Sequence, residues 1–172
     1  MGKKYKISEV HTESDVEQKI VYRLLTTPAP NGLGYSDADI LTKPNIKKLM
    51  IDKGVKKKLY YPDYVIVVDG LPSVIIEAKA PSEDIVEAAR EARLYAAEIN
   101  SSYKRNINPC SKVIVTNGVM IETYYWDEDK SNISLNIKDI NPTTPSFDEF
   151  CKFASKLQIS KSVFECLKLI KK

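Results

Sequence analysis

Asp63, Glu77 and Lys79 stand in a stretch whose other residues ask for burial. The stretch runs from Tyr61 to Pro81. Val65 to Val68 and Val74 to Ile76 are rich in β-branched residues, which suit a pleated, buried surface. Asp69-Gly70 supplies a tight turn, because glycine takes a positive φ without steric cost. Pro81 stops the second strand. Side chains alternate along a strand, so Glu77 and Lys79 share a face and Ala78 points the other way. Two neighbouring carboxylates repel each other, and a divalent cation resolves that repulsion. Hard oxygen ligands suit Mg²⁺. A lysine beside a metal-bound water can orient and deprotonate it, or hold the charge that develops on a phosphate. The same three residues can equally form an ion pair at a sheet end, with Lys79 neutralising Glu77 or Asp63.

Whether Asp63 joins that face depends on the turn. A three-residue loop over 69–71 sets Asp63 opposite Glu77, and one over 70–72 sets it opposite Lys79. A two-residue loop sets it opposite an apolar residue unless a bulge intervenes. The sequence thus permits two carboxylates and one ammonium at the end of the hairpin far from its turn.

Pro62-Asp63 followed by Glu77-Ala78-Lys79 resembles the motif of the PD-(D/E)xK nuclease superfamily. More narrowly, the stretch is similar to the N-terminal nuclease domain of the type I restriction enzyme R (motor) subunit. The similarity continues through Lys79-Ala80-Pro81, Glu91-Ala92-Arg93-Leu94-Tyr95-Ala96 and Val113-Ile114-Val115-Thr116-Asn117-Gly118. It covers about residues 14–126. The resemblance implies a restriction-endonuclease-like core and Mg²⁺-dependent hydrolysis of the DNA backbone at the P–O3′ bond, with Mn²⁺ as a substitute. Asp63, Glu77 and the Ala78 carbonyl would hold the metal, and Lys79 would serve the attacking water and the phosphorane charge. Related nucleases often add a glutamate from their first helix, and here that residue is Glu17. The family usually carries a glutamine four residues before the tyrosine matched by Tyr95, close to the catalytic centre and its DNA. This chain has Glu91 there, which departs from the pattern. The implied partners are DNA, helicase or translocase domains, and the methylation and specificity subunits of a restriction complex.

Composition sets the frame for these residues. The 172 residues suffice for one ordinary core, and the expectation is one nuclease-like domain, with a core over about 14–126 and a helical extension over about 146–171. The net charge of +3 is mildly basic, so affinity for nucleic acid must come from local clustering. Lys47, Lys48, Lys53, Lys56, Lys57 and Lys58 provide such a cluster just ahead of Asp63. A charge run is commonly a solvated face, but here it leads into the carboxylates and suits phosphate contact, with Lys56, Lys57 and Lys58 as candidates. Tyr60, Tyr61 and Tyr64 can stack on bases or pack in a strand. Cys110, Cys151 and Cys166 read as reduced thiols of a cytoplasmic protein. A single histidine, His11, and the lack of Cys-x-x-Cys argue against zinc. No apolar run reaches membrane-spanning length, no signal peptide opens the chain, and no phosphate-binding loop of an ATP motor occurs.

The elements expected to position these groups form a mixed α/β (α+β) fold, a central sheet flanked by helices. Residues 1–11 read as a polar lead-in. Ser14-Asp15-Val16-Glu17 fits a capping box opening a helix whose buried stripe is Val16, Ile20, Val21, Leu24 and Leu25. Glu17 then either caps that helix or turns inward beside the metal. Residues 26–39 form a loop, and 45–53 a short helix stopped at Gly54. A helix capped by Ser82 reaches Asn100, with a small-residue face of Ile85, Ala88, Ala89, Ala92, Tyr95, Ala96 and Ile99. Strands follow at 112–116, 119–126 and 133–137, the first two joined at Asn117-Gly118. Ser146-Phe147-Asp148-Glu149 caps a helix to Leu157, and Ser160 caps a last one. The alternative to catalysis is a nuclease-like fold that only binds DNA or a protein partner. A purely structural pairing of Lys79 with Glu77 is a third reading.

Overall fold

The computed structural model describes residues 9–46 and 61–172. Its centre is a six-stranded sheet in the order β1 to β6: Ile40–Thr42, Tyr64–Val68, Leu71–Ala78, Lys112–Thr116, Met120–Tyr125 and Ile133–Asn136. Every neighbouring pair is antiparallel except β3 and β4, which run parallel and are joined by a crossover helix, α2 (Ile85–Ser101). Parallel strands demand such a crossover, and the helix covers one sheet face. Helix α1 (13–26) and the C-terminal helices α3 (Pro145–Ala154) and α4 (Lys156–Ile170) belong to the core on the other face. This is the restriction-endonuclease-like arrangement of a mixed sheet flanked by helices.

Strand β3 is buried along its whole length because both faces are covered. Ile66, Val74, Ile76 and Ile114 point into the core shared with α1, α3 and α4, where Phe147 and Phe150 are fully enclosed. Val65, Ile75, Val113 and Val115 point to α2. That helix meets the sheet through Ala88, Ala89, Ala92 and Ala96, whose short side chains allow close approach.

The hairpin of β2 and β3 differs from the three-residue loops considered above. Val68 pairs with Leu71, so the loop is only Asp69-Gly70. Both residues take positive φ, 48° and 79°, the backbone of a tight two-residue turn. Such a turn alone would put Asp63 opposite an apolar residue. A bulge corrects this: Val67 pairs with Pro72 but Ile66 pairs with Val74, leaving Ser73 as the extra residue. Pro72 is tolerated at this bulge, ahead of the β4 pairing that begins at Val74. Beyond it Tyr64 pairs with Ile76, so the next pair in register is Asp63 and Glu77.

Several helix starts move. Thr12, not Ser14, caps α1: its hydroxyl accepts the Asp15 N–H while the Asp15 carboxylate takes the Thr12 N–H. The acid three residues on from Thr12 completes the box, which leaves Glu17 without a capping duty. Val16–Val21 is then wound as a π-helical turn. Asp84 rather than Ser82 caps α2, because Ala80 to Glu83 close their own turn, with the Glu83 carboxylate accepting the Ala80 N–H. Pro145 opens α3 after Thr144, displacing Ser146, since proline suits the first helical position. Ser155 in an extended conformation separates α3 from α4, so Ser160 lies within a helix rather than capping one. Strand β1 falls just after the expected loop. The helix expected over 45–53 begins at Lys43, and its remainder lies outside the described residues. Strand β6 stops at Asn136 and passes into a 3-10 turn, Ile137–Asp139.

Candidate active site

Three adjacent strands end at one level. Thr42 pairs with Tyr64, and Tyr64 with Ile76, so continuing both registers by one residue aligns Lys43, Asp63 and Glu77. Asp63 is 2% exposed and Glu77 6%. One Asp63 oxygen, Oδ2, accepts the backbone N–H of Ala78 at 2.7 Å, which locks the carboxylate against β3. The other, Oδ1, faces the Lys43 ammonium at 2.6 Å. Lys79 Nζ stands 3.1 Å from Glu77 Oε1, while Glu77 Oε2 is buried with no hydrogen-bond partner among the described residues. The Lys79 N–H donates to the Thr116 carbonyl at 2.8 Å, extending the parallel ladder through the site.

Helix α1 closes the other side. Carboxylate oxygens of Glu13, Glu17 and Asp63 lie within 4.8 Å of one another. Lys43 Nζ sits 3.9 Å from both Glu13 and Glu17. Glu17 does not cap the helix, a duty that Asp15 takes, and its carboxylate lies on the Asp63 side. The π turn contributes, since its wider winding re-aims the residues it carries, a feature frequent at functional sites. Gly118 fixes how closely the helix approaches: its φ is +80°, and a Cβ there would meet Val16 Cγ2 at 3.0 Å. The Asn117 side chain accepts the N–H groups of Val119 and Met120 and shapes that turn.

Crowded acids out of water hold their protons more tightly. Burial, and then the charge of Asp63, push Glu77 up to about 7, against the opposing pull of Lys79 and Lys43. Burial and then Asp63 also raise Glu17. Burial works against the charge of Lys43, but Asp63, Glu17 and Glu13 outweigh it and its ammonium is held above the usual lysine range. Lys79 follows the same pattern with Glu77 as its main support.

The predicted residues Glu17, Asp63, Glu77 and Lys79 are therefore brought together, with Ala78 held by Asp63. Tyr95 is buried on α2, and after burial itself the charges of Glu77 and then of the half-buried Glu91 do most to push its hydroxyl's pKa up. Tyr64 packs in the sheet with its hydroxyl donating to the Glu17 carbonyl at 3.3 Å. Lys47, Lys48, Lys53, Lys56, Lys57, Lys58 and Tyr60 lie outside the described residues. Sequence reasoning missed Glu13 and Lys43. The four-residue spacing of Glu13 and Glu17 on one helix was a usable signal. Lys43 had none, because the strand that places it, Ile40–Thr42, is only three residues long. A separate cavity of about 640 Å³, lined by Pro28, Leu33, Phe147, Cys151 and Leu157 among others, shares no residue with this cluster.

No helix among the described residues is long and apolar enough to cross a membrane. Comparison with curated proteins and with solved structures returned no match. A family model for the type I restriction enzyme R protein N terminus matches residues 45–132, half of the chain, and that span carries Asp63, Glu77, Lys79, Glu91 and Tyr95. With the motif residues gathered at one sheet end and the match running through all of them, the chain belongs to the family of type I restriction enzyme R protein N-terminal domains.

Proposed function

We propose that this chain is a metal-dependent DNA endonuclease domain working within a type I restriction system, with Mg²⁺ as cofactor and Mn²⁺ able to replace it. The observation that supports this reading is the alignment of Asp63 with Glu77 at one sheet end, beside Lys79, with Glu77 Oε2 buried and without a donor among the described residues. A buried, unpartnered carboxylate oxygen is costly unless a cation meets it. The donor set is all oxygen, which fits a hard divalent ion: Asp63 Oδ1, Glu77 Oε2 and the Ala78 carbonyl, with Glu17 as an additional acid. Such an ion supplies charge neutralisation at the phosphate and acidifies a bound water.

The chain's own residues do the rest. The Ala78 N–H orients Asp63 by holding its second oxygen. Lys79 carries its ammonium beside Glu77, half-buried and charged, where it can orient an attacking water and hold negative charge on the phosphorane. The lysines over 47–58 supply phosphate contacts independent of base sequence. On α2, Tyr95 feels the charge of Glu77, and Glu91 one turn before it is either a further acid on the metal side or a helix charge. Base recognition and translocation fall to the specificity and helicase or translocase parts of the restriction complex.

The test is cleavage of supercoiled plasmid with Mg²⁺ or Mn²⁺, with Lys79→Ala run beside the unmodified chain. Nicking or linearisation that falls at least about a hundredfold in the mutant, with fold and DNA retention intact, is the expected result. Equal cleavage by both would place the chemistry elsewhere. DNA retention without cleavage by either would favour a nuclease-like binding module.

A further inference from the structure

The cation that the carboxylates demand is already represented by a side chain. Three carboxylates within 4.8 Å of one another, Asp63 buried and Glu13 and Glu17 partly so, repel each other. The Lys43 ammonium lies among them, 2.6 Å from Asp63 Oδ1 and 3.9 Å from Glu13 and Glu17. Asp63 Oδ2 is turned to the Ala78 N–H, so Oδ1 is the oxygen it presents to the Lys43 ammonium. A divalent ion needs that oxygen at about 2.1 Å, and it cannot share the space with an ammonium already in contact. Lys79 does not stand in the way, because its contact is with Glu77 Oε1. The Lys43 side chain is half exposed, so it has an open path to solvent.

We propose that Lys43 is a displaceable internal counter-cation: its ammonium holds Glu13, Glu17 and Asp63 together in the metal-free chain and competes with the divalent ion for Asp63 Oδ1. The inference rests on the metal reading of the site and adds a threshold to it. Metal enters only when it outbids the lysine, so affinity for the ion is set below what the carboxylates alone would give. Lys43 is in this sense a positioning residue that acts through its neighbours' charge.

Calorimetric titration of Mn²⁺ into the full chain tests this, using the unmodified protein, Lys43→Met and Lys43→Gln, each checked for fold by circular dichroism. Both variants are expected to bind Mn²⁺ at least about tenfold more tightly. Without metal they melt at lower temperature than the unmodified chain, and saturating Mn²⁺ raises their midpoint by more. Equal or weaker Mn²⁺ binding by the folded variants, or an unchanged metal-free midpoint, would overturn the competition while leaving the metal site standing. Absence of Mn²⁺ binding in all three folded proteins would remove the metal reading and the competition with it.

Discussion

Strand β3 contains two halves that are equally buried and differently satisfied. From Leu71 to Ile76 the side chains meet apolar partners on both faces and the backbone is paired to β2 and, from Val74, to β4. One residue further, Glu77 is buried too, but one of its oxygens has no donor among the described residues, and it depends on the charge of Lys79 and, at longer range, of Lys43. The first half stabilises the fold by removing apolar surface from water. The second half costs stability, because burial opposes the charge of Glu77. The strand teaches that burial alone does not say whether a position serves the fold or the site; what decides is whether the buried atoms are satisfied.

Mutations can break that contrast, and the largest loss is expected in the apolar half. Ile76→Ala should cost about 2–5 kcal/mol in urea denaturation, the range for opening a cavity in a packed core. A loss below about 1 kcal/mol would mean the two halves are packed alike. Asp63→Ala should cost about 1–3 kcal/mol in the same assay, because it strands the buried Ala78 N–H. No loss there would show that a water replaces the carboxylate. The subtlest effect is a slope. Folded Glu77 holds its proton up to about 7, against 4.5 ordinarily, so the native state binds that proton more tightly than the unfolded chain. Its contribution is therefore fully present below pH about 4.5 and is lost as pH rises through about 7. Thermal melts of the metal-free chain should fall across that window, and Glu77→Gln should flatten the fall. An unchanged slope in the mutant would assign the titration to another group.

Much of this arrangement was legible in the residues. The β-branched runs announced β2 and β3, and the stripe Val16, Ile20, Val21, Leu24 and Leu25 of α1 is buried as its spacing required. The motif spacing identified Asp63, Glu77 and Lys79, which the fold gathers at one end of the sheet. Exact helix starts were harder, because Thr12, Ser14, Ser82, Asp84, Thr144 and Ser146 are all competent caps and the choice among them is settled by tertiary contacts. Lys43 was invisible for a different reason. Its place follows from a cross-strand register, and a three-residue strand carries too little periodicity to reveal one. Glu17 was legible as a candidate, but its direction depended on which neighbour took the capping role.

The extra residue at Ser73 makes the site a question of parity. Strand side chains alternate strictly, so an odd change in count between the turn and Glu77 exchanges the two sides of the sheet. Take Ser73 away while the Asp69-Gly70 turn and β2 stay in place, and Glu77 and Lys79 rotate toward the layer of α1, with Ala78 now facing α2. None of the reactive residues would have been altered, and all of them would have turned over together. Length in this short segment thus constrains the site as tightly as chemistry does: the hairpin can trade one apolar residue for another, but it cannot lose count.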